Sequence, residues 1–231
     1  MKELPQESKI LKGLLEKADV KQHIYTETFE AFKKIKEELM TVSDWIKGNI
    51  EKSKTKAEIL YKDRGEFEAQ LNFGGDTLFF IMHSNIFIFP PEHFIHKTAY
   101  VKQDTTRAFC GMILIYNFLS DSIKYNRVND LGYLLGRIFI NKEGHYFMQG
   151  KRQYSFLHRD FAKLIFDYDA VRSIVESAII QAVEFDLFVP PIDQIQEISL
   201  LQKIQATGNI ALKTGKRMGF ELNDKVDHDH E

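Results

Sequence analysis

Apolar residues recur three and four positions apart near each end of the chain, a spacing typical of amphipathic helices. We expect the first long helix from about 26 to 52, with Thr26 or Thr28 as its N-cap, after a shorter helix around 6–18. Its apolar seam consists of Phe32, Ile35, Leu39, Val42 and Ile46. This seam packs either on the protein's own sheet or against a second copy of the chain.

The second helical pattern follows Ser155. Its apolar residues are Phe161, Leu164, Tyr168, Val171, Val175, Ala178 and Ala182. They predict a long, largely buried helix over 158–185, with Asp160 in its first turn, where the helix dipole favours a negative charge. A further amphipathic helix is expected to end near Gly208.

Between the two helical regions the pattern changes to short β-type runs separated by turn residues. The runs 56–62, 66–73, 76–83 and 85–90 predict an antiparallel meander that begins at an exposed edge. A loop of about fifteen residues follows at 91–107. A second group of strands is expected at 108–119, 122–127, 133–140 and 145–150.

The connection Asn141–Gly144 predicts a hairpin, because Gly144 is free to adopt positive φ. We expect Ile140 opposite His145 and Ile138 opposite Phe147, with apolar side chains on both faces.

These elements predict a single α+β domain over 1–222, with a mainly antiparallel sheet flanked by amphipathic helices. We expect a helical segment over 1–54, the sheet over 56–153, a second helical segment over 157–208, and a disordered acidic tail over 223–231. In architecture alone, the arrangement resembles small sensory domains of the PAS or GAF type.

Composition narrows the class of protein. Nineteen phenylalanines and nine tyrosines indicate an aromatic core that suits a sheet covered on both faces. A formal charge of −2 argues against dedicated nucleic-acid binding. We expect no membrane span, because no apolar stretch is long enough. The single cysteine, Cys110, lies in an apolar run typical of a buried strand. With one cysteine the chain cannot form an internal disulfide, so we expect a cytoplasmic location.

Two motifs resemble nucleotide-handling sequences, but both are incomplete. The triplet His158–Asp160 matches a kinase HRD motif, yet Ile165 stands where a metal-binding asparagine is needed. In the stretch 208–219, six residues separate two glycines where a phosphate-binding loop has four, and Arg217 replaces the magnesium-binding hydroxyl.

Histidines raise the question of a metal. His93 and His96 have a spacing that brings two imidazoles together, and His83 precedes them on a strand, but the sequence identifies no third ligand beyond Glu92. Solvated loop histidines are the alternative. No metal site is predicted, and the sequence leaves the cofactor unknown.

The remaining candidate is a cation cluster near the start of the second long helix, where an anion would be favoured. The candidate ligand-binding residues are Arg137, His145, Lys151, Arg152, His158 and Arg159. A solvated rim of charges is the alternative.

Two functions remain open. The leading hypothesis is a non-catalytic ligand-sensing or protein-interaction domain that uses its helical seams, including for a homodimer. The alternative is an enzyme or receptor that acts on a small anionic or phosphorylated metabolite through the cation cluster. A deep pocket favours the alternative, whereas a filled core with an apolar surface patch favours the interaction domain.

Overall fold

The computed structural model describes residues 10–11, 13–52, 57–150, 158–187 and 200. It confirms an α+β arrangement of one antiparallel sheet with helices before and after it. The long helices are α1 (Asp19–Ile50), which continues a π-helical segment at Leu14–Ala18, and α4 (Tyr168–Val183). The strands are β1 (Ile59–Asp63), β2 (Glu68–Phe73), β3 (Asp76–Ile88), β4 (Phe109–Leu119), β5 (Tyr133–Ile140) and β6 (Tyr146–Gly150). Among the described helices, none is long and apolar enough to cross a membrane.

The six strands pair in the order of the chain, and every pair is antiparallel. The predicted meander is therefore confirmed, with β1 at one edge. The expected turn between the runs 76–83 and 85–90 is wrong, because β3 is one strand with an irregularity between His83 and Phe87.

The strand predicted at 122–127 is also wrong, since Ser120–Lys124 forms the short helix α3. Local hydrogen bonds stabilise this connection between β4 and β5. The Ser122 hydroxyl donates to Asp130 Oδ2 at 2.6 Å, and the Arg127 amide donates to the Ser122 carbonyl at 2.8 Å.

The β5–β6 hairpin is confirmed, but the predicted register is off by one residue. Ile140 pairs with Tyr146 and Phe139 with Phe147. The cause lies in the turn, where the Asn141 amide donates to the His145 carbonyl at 2.9 Å and Gly144 has φ 72°. Three residues rather than four thus form the loop, and every β6 side chain lies on the opposite face from the one predicted.

On one face of the sheet, α1 and α4 enclose the larger core. The seam residues Phe32, Ile35 and Leu39 are fully buried in it, so the seam packs on the protein's own sheet. Thr26 and Thr28 are not N-caps. Both lie inside α1, and their hydroxyls donate to the carbonyls of Gln22 and Ile24.

The opposite face is covered by the segment expected to be a loop. It forms the 3₁₀ turns Phe94–Lys97 and Thr105–Ala108, with helix α2 (Ala99–Gln103) between them. Its apolar side chains pack on the sheet to form a second core of Ile95, Val101, Ala108, Cys110, Phe139, Phe147 and Phe161. Both faces of the sheet are therefore filled.

Helix α4 begins ten residues later than predicted. Residues 158–166 instead follow the free edge of β6, where the Met148 amide donates to the His158 carbonyl at 2.9 Å and the Tyr146 amide to the Leu164 carbonyl at 3.1 Å. Asp167, not a residue near Asp160, caps the helix by accepting from the Ala170 amide. The helix predicted to end near Gly208 and the acidic tail lie outside the described residues.

Candidate functional site

Four of the six predicted ligand-binding residues are described, and they do not converge. Arg137 donates to Gln149 Oε1 at 2.6 Å and lies over the Phe139 ring, on the face of the second core. Arg159 is exposed and lies over Phe94. The sheet separates these two cations from His158, which contacts Tyr146 in the larger core. The predicted cluster therefore does not form among these four residues, and Lys151 and Arg152 lie outside the described ranges.

The fourth predicted residue, His145, also has a structural environment. Its ring packs against Tyr100 at 4.8 Å between centroids, and its amide donates to Asn141 Oδ1 at 3.0 Å. These contacts fix the end of the β5–β6 hairpin.

His158 and Tyr146 form a buried polar pair. Tyr146 Oη and His158 Nδ1 are 2.7 Å apart, and His158 is only 5% exposed. Burial lowers the pKa of His158, while burial followed by the charge of Asp167 raises the pKa of Tyr146 to about 12. Both groups are therefore neutral near pH 7. His158 Nε2 is buried and has no hydrogen-bond partner among the described residues, so this atom can still serve a ligand.

A shallow cavity of about 450 Å³ lies beside this pair at the start of α4. Lys163 and Asp167 contribute one charge of each sign to its wall, and Ser173 contributes a hydroxyl. The arrangement offers hydrogen bonds to a small polar molecule. Among the described residues that line it, positive charge is not in the excess that an anion site would require.

The histidines considered for metal binding have other contacts. His93 stacks on Phe89 at 4.3 Å, His96 Nε2 lies 3.1 Å from the Phe89 carbonyl, and His83 Nδ1 accepts from the Asn85 amide. Within the described part of the chain, no three histidine, cysteine or carboxylate side chains gather as a metal site would require.

Cys110 is fully buried in β4, and burial raises the pKa of its thiol. It behaves as a small core residue, as its sequence context indicated. Two carboxylates at the ends of connections between strands also have structural partners. Asp76 accepts a hydrogen bond from Asn117, and Asp130 accepts one from Ser122.

Sequence reasoning missed a polar network that fastens the β5–β6 turn to helix α2. Tyr100 Oη and Arg107 Nε donate to the two carboxylate oxygens of Glu143 at 2.7 and 2.9 Å. Nearby, Lys142 lies 2.5 Å from Asp104, and its hydrogen bond lowers the pKa of that carboxyl to about 2. About forty residues separate the partners along the chain, so local patterns gave no signal. The network supports the second core.

A group of exposed apolar side chains lies in the helical residues that precede α1. We use the name helix-end row for Ile10, Leu11, Leu14 and Leu15, whose exposed fractions are 61%, 59%, 59% and 65%. The spacing places them on adjacent turns of the helix. The sequence already showed this pattern inside the predicted helix at 6–18, but gave no sign that it would remain uncovered.

A groove of about 590 Å³ adjoins the row. One wall is the helix, with Ala18, Lys21, Gln22 and Tyr25, and the other is Ser84–Phe87 near the end of β3. β2 pairs with β3 only as far as Ile81, so the backbone edge beyond it has no strand partner on that side among the described residues. Ile88, at the end of this edge, is 57% exposed.

Comparison with known proteins gives no relative from which a function can be transferred: no protein-family model, no curated protein and no solved structure matches the chain.

Proposed function

We propose that the chain is a non-catalytic protein-interaction domain that binds its partner through the helix-end row. One observation carries the proposal: four large aliphatic side chains lie together on the surface, although both faces of the sheet are filled. Single exposed apolar residues are normal on a protein surface, whereas contiguous ones mark interaction sites.

Energetics support the same proposal. Burying a leucine or isoleucine side chain is worth roughly 1.5–3 kcal/mol relative to leaving it exposed. The row therefore offers several kcal/mol to a partner, and a few such side chains dominate the affinity of a typical interface.

Photo-crosslinking tests the proposal. A photoreactive phenylalanine analogue replaces Leu15 in the full chain, which is produced in its native cells. The matched control carries the same analogue at Val128, a residue of the β4–β5 connection that is 79% exposed. We expect discrete adducts at position 15 that disappear when Leu11→Gln is added. Equal labelling at both positions, or adducts that survive Leu11→Gln, would contradict an interaction through the row.

A second candidate function is a receptor for a small polar ligand, and His158 Nε2 is the observation that favours it. This atom is buried beside the cavity at the start of α4, and no residue in the described part of the chain bonds to it. Native mass spectrometry of the purified full chain tests this function by detecting a co-purifying small molecule. We expect such a molecule to be lost from His158→Gln and retained by the exposed control His23→Gln. A wild-type protein from which no small molecule co-purifies, or a molecule that His158→Gln retains as fully as the wild type, would remove the candidate.

A further inference from the structure

We propose that the partner of the helix-end row is a second copy of this chain, and that two rows pack on each other across a two-fold axis. This proposal rests on the proposed function and names its partner.

The first argument is that the row lies beyond the region where the protein's own sheet covers the helix. Residues 10–11 and 13–19 are exposed wherever their side chains are described, and the first fully buried side chain of the helix is Ile24. The π-helical segment Leu14–Ala18 contains Leu14 and Leu15 of the row and connects the row to α1. A π-helical turn is wider than an α-helical turn, so it rotates the upstream side chains relative to the downstream seam. The row therefore lies on a different side of the helix from the buried seam of α1.

The second argument is chemical self-complementarity. The row is purely aliphatic, so an identical row can pack against it without burying an unpaired polar group. The charges beside it have both signs, as Lys17 and Asp19 show. The net charge of the chain is only −2, so two copies repel each other weakly.

The third argument is the area of apolar surface that a dimer would bury. Five side chains, the row and Ile88, are more than half exposed, and burying them would remove roughly 500 Å² of apolar surface per copy from water. A stable interface needs about 800 Å² per partner. The walls of the adjoining groove, including Tyr25 and Phe87, can supply the remainder.

A later segment of the same chain would have to cross the length of α1 before it could cover the row, and the tests below separate that cover from a second copy. Lys34 contacts Phe166 and Glu38 contacts Arg172, so α1 and α4 run in the same direction. Leu187, just after α4, therefore lies toward the far end of α1 from the row. Because α1 rises about 1.5 Å per residue, the chain after Leu187 would have to return by roughly 50 Å to reach the row. That distance needs about fifteen fully extended residues.

Sedimentation velocity of the full chain, from low micromolar to near-millimolar concentration, is the first test. We expect a concentration-dependent dimer for the wild type. Leu11→Gln/Leu15→Gln should weaken the dimer by roughly 100-fold or more, since each tenfold change corresponds to about 1.4 kcal/mol. The matched control Val128→Gln/Leu131→Gln removes apolar side chains that are even more exposed, in the β4–β5 connection, and should dimerise like the wild type.

Disulfide trapping is the second test, and it does not depend on whether the glutamine variant keeps its helix end folded. Cys110 is the single cysteine of the chain and is buried, so Leu14→Cys adds the accessible thiol. Mild oxidation should link two copies through Cys at position 14 much faster than through Cys at position 128.

The two proposals fail in different ways. In one outcome, the wild type sediments as a monomer at every concentration and shows no faster disulfide trapping at position 14 than at position 128. That result would overturn the proposal that the partner is a second copy. If adducts at position 15 then have the mass of another protein, the interaction domain survives. If no adducts form there either, both proposals fall.

Discussion

Gly111 allows α1 to approach the sheet closely. A methyl group at this position would overlap the Thr28 hydroxyl on the facing side of α1. Thr28 is fully buried and its hydroxyl is bound to the Ile24 carbonyl, so it cannot rotate away without losing that hydrogen bond. The glycine is therefore required by packing and not by backbone conformation.

We expect Gly111→Ala to lower the free energy of unfolding by roughly 1–3 kcal/mol, the usual cost of overpacking. Gly48→Ala is the matched control, because that helical glycine has open space around it. It should raise the free energy of unfolding by about 0.5–1 kcal/mol through helix propensity. Urea denaturation measures both. Equal effects of the two substitutions would show that Thr28 does not restrict position 111.

His158 gives the fold a pH dependence. Burial lowers its pKa in the folded state, so below about pH 6.5 the unfolded chain binds a proton that the folded chain does not. Stability is therefore present above pH 6.5 and is lost as the pH falls toward the folded pKa. The groups facing His158 include Tyr146, from β6, and the cavity residues Lys163 and Asp167.

We expect the free energy of unfolding to fall between about pH 7.5 and 5.5, with a contribution from His158 of at most about 1.4 kcal/mol per pH unit. His158→Gln should flatten this dependence, whereas the exposed His23→Gln should leave it unchanged. Denaturation at several pH values measures the slope. An unchanged slope in His158→Gln would show that the histidine is protonated equally in both states.

At the scale of elements, the β5–β6 hairpin depends on the left-handed conformation of Gly144, with φ 72°. We expect Gly144→Ala to destabilise the protein by about 1–2 kcal/mol, and Gly144→Asn by less, since asparagine tolerates this region better. Gly75→Ala, in a turn with open space and ordinary φ, should change stability by less than about 0.5 kcal/mol. Thermal unfolding compares the three. No loss in Gly144→Ala would mean that the turn can adopt another geometry.

Patterns of apolar spacing predicted most of the elements, because the buried side of each helix and strand is continuous along the chain. They failed where a local signal competed with tertiary contacts. Thr26 and Thr28 resemble helix caps, but the helix continues through them. Residues 158–166 have a helical pattern, yet their backbone pairs with the edge of β6. The register of the β5–β6 hairpin depended on one loop residue that spacing does not reveal.

At the scale of the whole molecule, the candidate site was less predictable than the fold. Basic residues that are close in sequence, such as His158 and Arg159, lie against different cores because the chain passes around the edge of the sheet. The apolar pattern at 10–15 was visible in the sequence. Its exposure could only follow from the structure, since it depends on where the sheet ends relative to α1.

Hydrogen exchange on the full chain gives a prediction at this scale. Amides at 10–18 should exchange rapidly in dilute protein, because their helical turns have no apolar cover. Their protection should rise with protein concentration as copies associate, while the central amides of β4 stay constant. Protection at 10–18 that is independent of concentration would contradict association through this segment.

The sequential order of the strands also bears on how the chain acquires its structure during synthesis. Each strand pairs with the next one made, so the sheet can grow hairpin by hairpin without closing long loops, which favours rapid folding. The first helix is in the opposite situation. Its contacts with β1 to β3 can form early, but Thr28 must wait for Gly111 and Glu38 must wait for Arg172, so the packing of this helix is completed late in synthesis. Part of the apolar surface of the nascent helix is thus exposed for much of synthesis, when a chaperone could bind it.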